Sequence, residues 1–431
     1  MCKRKILGFI FCCLISLFFM PNYIFSASPI TTDGSYEFTG SPGSISVAEN
    51  VNATITLTDV SISGGTCIDI KPGSNLTLII KGVNRLAATI DGIGCGIHVP
   101  EGAVLTIKGD GKLYATGGSY YNGGSAAIGA RADEDSCGTI NIESGYVYAV
   151  GGSKAAGGDT GAGIGRSFYN GRGGTVNITG GQVVVSGSKT HLSFGLCSTN
   201  INIENAILYA NRISGNKIIT NSIIYNDANI NLNCYDINSD GKVTNSKGTV
   251  YGTYEIKNGN TFEIESTNKL EIPSGTSLIN NGILTNNGTL TDKGTLINNG
   301  VFNNNGDTDL VAGSVFTNNG TINCTNHKGG TATCLKKAEC KICSDEYGEI
   351  NANNHVNLVK GDTIAPTCVA QGYTNYHCND CGNDIKKDYV AVNADNHTDL
   401  VKGDTVAPTC IAQGYTKYHC NGCNKDVKKI M

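Results

Sequence analysis

Two units near the C-terminus repeat 42 residues apart, and each carries one histidine and three cysteines in a fixed order. The first has His355, then Ala365-Pro366-Thr367-Cys368, then Tyr376-His377-Cys378-Asn379-Asp380-Cys381. The second has His397, then Ala407-Pro408-Thr409-Cys410, then Tyr418-His419-Cys420-Asn421-Gly422-Cys423. In both, the histidine precedes the first cysteine by thirteen residues and the last two cysteines form C-x-x-C. An earlier, divergent copy has His327, Cys334, Cys340 and Cys343. Three thiolates and one imidazole suit tetrahedral zinc, and a small unit without a core gains its stability from the metal. The competing chemistry is a disulfide framework, which export favours. Against it, three cysteines per unit cannot all pair internally, and C-x-x-C closes a tight loop. Each unit thus reads as its own ligand set, with His377 and His419 as alternative imidazoles. Structural zinc is the expected cofactor.

A second candidate is aromatic. Tyr114, Tyr148 and Tyr209 are the middle residues of three similar triplets, with Val184 interrupting them. An outward row of such rings could stack on pyranose faces, or it could be a ladder that merely joins adjacent strands. Tyr120, Tyr121, Phe168 and Tyr169 stand in nearby Asn/Gly loops and extend the candidate glycan-binding set. The chain has no tryptophan, which weighs against a tight glycan site.

Enzymatic chemistry has thinner support. A uronate lyase needs a basic Arg or Lys and usually calcium held by carboxylates. Asp133, Glu134, Asp135 and Asp159, with Arg131, Arg166 and Arg172, supply the residue types without a spacing that joins them. Rows of strands offer no facing carboxylate pair for glycoside hydrolysis. Asp236-Ile237-Asn238-Ser239-Asp240-Gly241 fits the first half of a calcium loop, but its twelfth position is Lys247 where an acid is required. A turn between two segments is the expected role, and calcium is not an expected cofactor.

The elements that carry these residues are legible as repeats. One row reads Leu76-Thr77-Leu78, Leu105-Thr106-Ile107, Ile140-Asn141-Ile142, Val176-Asn177-Ile178 and Ile201-Asn202-Ile203. A second, seven or eight residues later each time, reads Leu113-Tyr114-Ala115, Val147-Tyr148-Ala149, Val183-Val184-Val185 and Leu208-Tyr209-Ala210. A third reads Ala127-Ile128-Gly129, Gly163-Ile164-Gly165 and Ser193-Phe194-Gly195. Apolar–polar–apolar alternation turns the outer residues of a triplet inward. Fixed strands with loops of varying length between them are what stacked coils produce. The expected fold is all-β: a parallel β-helix, right-handed form favoured, over residues 29–235. A connector at 236–252 leads to a hexapeptide-repeat solenoid at 253–325. There Gly282, Gly288, Gly294, Gly300 and Gly306 recur every six residues, at a position where positive φ is easy. Three hexads would make one 18-residue turn, with asparagines stacked in ladders. Small Cys/His β modules fill 326–431. Cys67 and Cys95, before Ile68 and Ile97, either meet on adjacent coils or are ordinary buried thiols; Cys137, Cys197, Cys234 and Cys324 are the other cysteines between the expected leader and the Cys/His modules.

The strings Gly161–Gly165 (GAGIG), Gly173–Gly181 (GGTVNITGG) and the hexads (TNNGTL) resemble β-solenoid surface proteins of Gram-positive gut bacteria, over roughly residues 30–325. That resemblance implies an adhesin or carbohydrate-binding role, with polysaccharide lyases among relatives of the fold. The tail is similar to Cys-rich repeats near the C-termini of such proteins, which implies a spacer. Lys3, Arg4 and Lys5 precede an apolar run from Ile6 to Met20 and small residues at Ser26, Ala27 and Ser28, a secretory leader expected over 1–28. Once it leaves, the formal charge of −4 becomes −7, with no basic block before the tail and no second apolar run. Nucleic-acid binding and membrane insertion are therefore not expected. A secreted or cell-surface, non-enzymatic protein contacting polysaccharide or surface glycan is the functional expectation; a purely structural stalk is the alternative, and a lyase the enzymatic one.

Overall fold

The structure, a computed structural model, describes residues 29–89, 93–120, 123–153, 160–167, 173–188, 194–226, 229–231 and 242–431. The expected leader, Cys234, the Asp236–Gly241 string, Tyr121, Phe168, Tyr169, Asp159 and Arg172 lie outside these residues, as does the side chain of Tyr120. The described chain is all-β, and no helix in it is long and apolar enough to cross a membrane. It divides into two units, Met1–Asn326 and His327–Met431.

In the N-terminal unit the predicted rows exist as parallel ladders. Leu76 pairs with Leu105, Leu105 with Ile140, Ile140 with Val176 and Val176 with Ile201. Their side chains are fully buried, or nearly so, because alternation sends every second residue to one face. The middle residues form a ladder of their own: Asn141 donates to Thr106 at 3.2 Å, Asn177 to Asn141 at 2.8 Å and Asn202 to Asn177 at 2.8 Å. The second row pairs Leu113, Val147, Val183 and Leu208 in register and continues to Ile224. The third row pairs Ile68, Ile97, Ile128, Ile164 and Leu196. Here the sequence expectation misplaces one rung: Leu196 and Cys197, not Phe194 and Gly195, sit beside Ile164 and Gly165. The glycines of this row are obligatory. Gly165 has φ of +112°, and a Cβ there would meet the Cys197 carbonyl oxygen at 1.9 Å.

After Ser222–Asn226 the chain direction changes. Lys247–Tyr251 pairs antiparallel with that strand, placing Gly248 opposite Tyr225. A side chain at Gly248 would strike the Tyr225 ring, 2.5 Å from Cζ, so glycine lets the returning strand lie against it. Parallel pairing then resumes, and the chain visits three rows in rotation. Ser277 pairs with Thr295, and Ile283 with Val301, each 18 residues on. From Ser277 to Gly306 each hexad buries two side chains: a Leu or Phe, as at Leu284, Leu296 and Phe302, and the residue two positions on, an Asn in all but one. Asn280 donates to Asn298 and Asn298 to Asn318, both at 2.7 Å, while the second Asn of each turn builds an outer ladder, Asn299 to Asn281 at 2.8 Å and Asn319 to Asn299 at 2.9 Å. Close approach, rather than the expected positive φ, selects the hexad glycines: a Cβ on Gly300 would stand 2.1 Å from the Gly282 carbonyl oxygen one rung away. Asp292 takes the place of a buried Asn. Its Oδ1 accepts from the Gly294 amide at 3.0 Å, Oδ2 has no hydrogen-bond partner, and burial raises its pKa.

The C-terminal unit is built from short antiparallel sheets. Leu358–Ile364, Gly372–Cys378 and Asp384–Val390 form one, and Leu400–Val406, Tyr415–Cys420 and Lys425–Ile430 form another. The divergent copy keeps only the pair Ala338–Glu339 and Glu346–Tyr347.

Candidate metal centres and the covered tyrosine column

Each C-x-x-C sits at the tip of a strand, where the chain turns back and aims amides at the first sulfur. The amide of Cys381 and those nearby pull the Cys378 thiol down to about 6, and that of Cys423 does the same for Cys420. A thiol so placed is a ready thiolate and hence a ligand. Opposite these pairs stand the predicted histidines. Nδ1 of His327 lies 3.4 Å from Cys343 Sγ, His355 Nδ1 3.3 Å from Cys381 Sγ and His397 Nδ1 3.3 Å from Cys423 Sγ. His377 and His419, the alternative imidazoles, instead face Asp384 and Asp426 at 2.8 Å and are about half exposed. They belong to no ligand set.

The third cysteine of each unit does not complete that unit's own set. Cys334, grouped by sequence with His327, Cys340 and Cys343, lies with His355, Cys378 and Cys381. Cys368, grouped with His355, lies with His397, Cys420 and Cys423. Cys410, assigned to the last set, is exposed and joins no cluster among the described residues. The donor atoms of each set are within 4.8 Å of one another. The Cys334 and Cys378 sulfurs are 3.5 Å apart, and those of Cys368 and Cys420 3.6 Å. A zinc tetrahedron with bonds of about 2.3 Å to sulfur and 2.0–2.1 Å to nitrogen has edges of roughly 3.5–3.8 Å. The residues therefore fit a metal ion, and no disulfide joins the described cysteines. Three Cys/His clusters in this region could hold a metal.

The tyrosine column is real, but it is not an open platform. Tyr114 and Tyr148 occupy adjacent rungs and Tyr209 follows beyond the Val184 rung, as expected, yet all three are only 3–5% exposed. The row continues to Tyr225, whose ring stacks on Tyr209 at 4.4 Å and 15°. Tyr114 and Tyr148 meet at 5.4 Å, tilted, and the Arg85 guanidinium lies over Tyr114 at 5.2 Å. The chain reversal supplies part of the cover: Val243, Phe262 and Glu265 line the space beside Tyr209. A cleft of about 520 Å³ also stays open, lined among others by Glu143, Gln182, Asn205, Tyr254, Glu255 and Phe262.

Charged residues converge at one place that the sequence did not mark. His98, on the third row between Asp69 and Gly129, is buried. Its Nδ1 lies 2.7 Å from Asp69 and its Nε2 2.9 Å from Glu134, while Arg131 and Lys71 pair with Asp69 at 3.2 and 2.8 Å. Burial opposes charge on His98, but the two carboxylates outweigh it and raise its pKa. Burial likewise opposes charge on Asp69, and His98, Lys71 and Arg131 overcome that. Of the described loop residues weighed for lyase chemistry, only Glu134 and Arg131 enter this group, and both are spent on internal pairs. Arg166 is buried beside Cys197 instead. Cys67 and Cys95 are adjacent, with the Cys67 amide donating to the Cys95 carbonyl at 3.0 Å, and both thiols are buried; burial pushes that of Cys67 up to about 12.

Comparison with protein-family models, with curated proteins and with solved structures returns no match.

Proposed function

We propose that the chain is an exported, non-enzymatic scaffold, displayed at a cell surface or released. In this reading residues 29–235 wind as a right-handed parallel β-helix and residues 253–325 as a hexapeptide coil. The Cys/His region is a spacer held by structural zinc. Zinc suits three thiolates and one imidazole in a compact tetrahedron, whereas calcium and magnesium want oxygen ligands. The observation that carries the reading is the burial of the tyrosine column. The row best suited to stack on sugar rings is packed away. Much of the other rows' outer surface is a lattice of Asn and Thr side chains that bond to one another.

A second reading, glycan contact, is favoured by one feature: the cleft where Tyr254, Gln182 and Glu143 come together. The two separate on a panel of plant, host and bacterial polysaccharides. The scaffold reading expects the full chain to pass every column unretarded. Selective retention that disappears in Tyr254→Ala or Gln182→Ala would replace it with the glycan reading.

A further inference from the structure

The ligand order along the chain is interleaved. Cys368 belongs to the last set, Cys378 and Cys381 to the one before, and His397 to the last again. The chain thus leaves one set, builds the sheet that carries another, and returns. Each travelling cysteine is seated in its receiving unit by the same contacts. The Cys368 amide donates to the Asn396 carbonyl at 3.0 Å, Asn396 Nδ2 donates back to the Pro366 carbonyl at 2.6 Å, and the Asn393 amide donates to the Thr367 carbonyl at 3.0 Å. At Cys334 the same three bonds run to Asn354, from Asn354 to Ala332, and from Asn351 to Thr333, at 2.9, 2.7 and 2.9 Å. Two copies with one geometry make this a built seat. The loop before each cysteine rests on the Asn-x-x-Asn-His turn of the next unit.

The geometry points to metal ions that act as rivets between successive units rather than as cores within them. Resting on the zinc reading above, the inference is that each of the two later ions takes one thiolate, from Cys334 or Cys368, of the unit before it and two thiolates and an imidazole from the unit that holds it. Metal then fixes how one sheet is set against the next. Apolar packing contributes little to that arrangement, since Val359, Val369 and Val401 are each half exposed. Without the ion the sheets are joined by single strands of chain and a few hydrogen bonds. With it they become one array.

Two serine variants of the full chain test this, because in-unit and relayed sets predict opposite results for them. Metal content, the thiolate-to-metal absorption of the cobalt-substituted protein, and hydrogen exchange by peptide are read together. Cys410→Ser is expected to match the wild type in all three. Cys368→Ser is expected to lose about a third of the cobalt–thiolate absorption of one site or that site's metal outright. Faster exchange should then appear around Cys420 and Cys423, with Cys378 and Cys381 still protected. Loosening around Cys378 and Cys381 in Cys368→Ser, or loss of metal in Cys410→Ser, would overturn the relay while leaving zinc in place. A wild-type chain that carries no metal and whose cysteines are oxidised overturns both readings together.

Discussion

The N-terminal and C-terminal units are both all-β and both repetitive, yet they are held together by different means. The N-terminal unit buries column after column of Ile, Val and Leu, and each strand is completed by the strand beside it. In the C-terminal unit Ile342 is the only buried hydrophobic side chain that is not a cysteine. Many of its remaining large apolar groups face outward, Ile411 almost completely, while Leu358, Ile385, Leu400 and Val427 are half-buried. Stability in the first comes from repetition of one contact, which grows with every rung. In the second, on the reading proposed above, it comes from a few strong bonds placed where chains cross.

Three perturbations sharpen that contrast. The largest effect is expected from a chelator. Structural zinc contributes about 10–16 kcal/mol to small domains, so its removal should abolish hydrogen-exchange protection from residue 327 onward and leave the ladders before it unchanged. Equal loss in both units would mean the tail is not held by metal. Next, Leu105→Ala empties a fully buried rung and should cost about 2–5 kcal/mol, whereas Val359→Ala, on an exposed strand, should stay within about 0.5 kcal/mol. Urea unfolding followed by peptide-resolved exchange separates them, and similar costs at the two sites would erase the distinction. The smallest effect has the opposite sign. Asp292 has a raised pKa when folded, so its contribution is whole below the ordinary aspartate pKa and is lost as pH rises through the folded value. Asp292→Asn removes a buried charge between the Ile272 and Leu310 rungs and supplies the amide donor that the Asn hexads carry at this position, so it should stabilise the hexad segment by about 1–3 kcal/mol at pH 7. The gain should shrink at pH 4. A gain independent of pH would show that the carboxyl is not charged there.

Much of this was written openly in the sequence, and what was not has a common cause. The triplets Leu105-Thr106-Ile107 and Ile140-Asn141-Ile142 announced their own register, because a repeat and a two-residue alternation together leave little freedom. The third row slipped at Ser193-Phe194-Gly195, since a two-residue bridge has too little pattern to resist a loop of different length. Burial of Tyr148 and Tyr209 was not legible from local pattern. The Tyr209 end depends on the chain reversing after Asn226 and laying later residues over an earlier row. The metal sets show the same limit. Spacing marked most of the Cys and His residues that cluster, Cys410 excepted, but a repeat in the sequence need not coincide with a unit of the fold, so it could not say which copy of a cysteine meets which histidine. His98 gave no signal because Asp69 and Glu134 lie 29 and 36 residues from it.

The strict rotation of hexads through three rows has a genetic consequence. Duplication or loss of 18 residues, such as 283–300, adds or removes one rung of about 4.8 Å in every row and leaves each Leu column and each Asn ladder facing its own kind. Loss of six or twelve residues would shift the rest of the segment onto the wrong rows. Length in this segment is therefore quantised: a lineage could lengthen or shorten it by slippage in whole steps, without having to adjust either end.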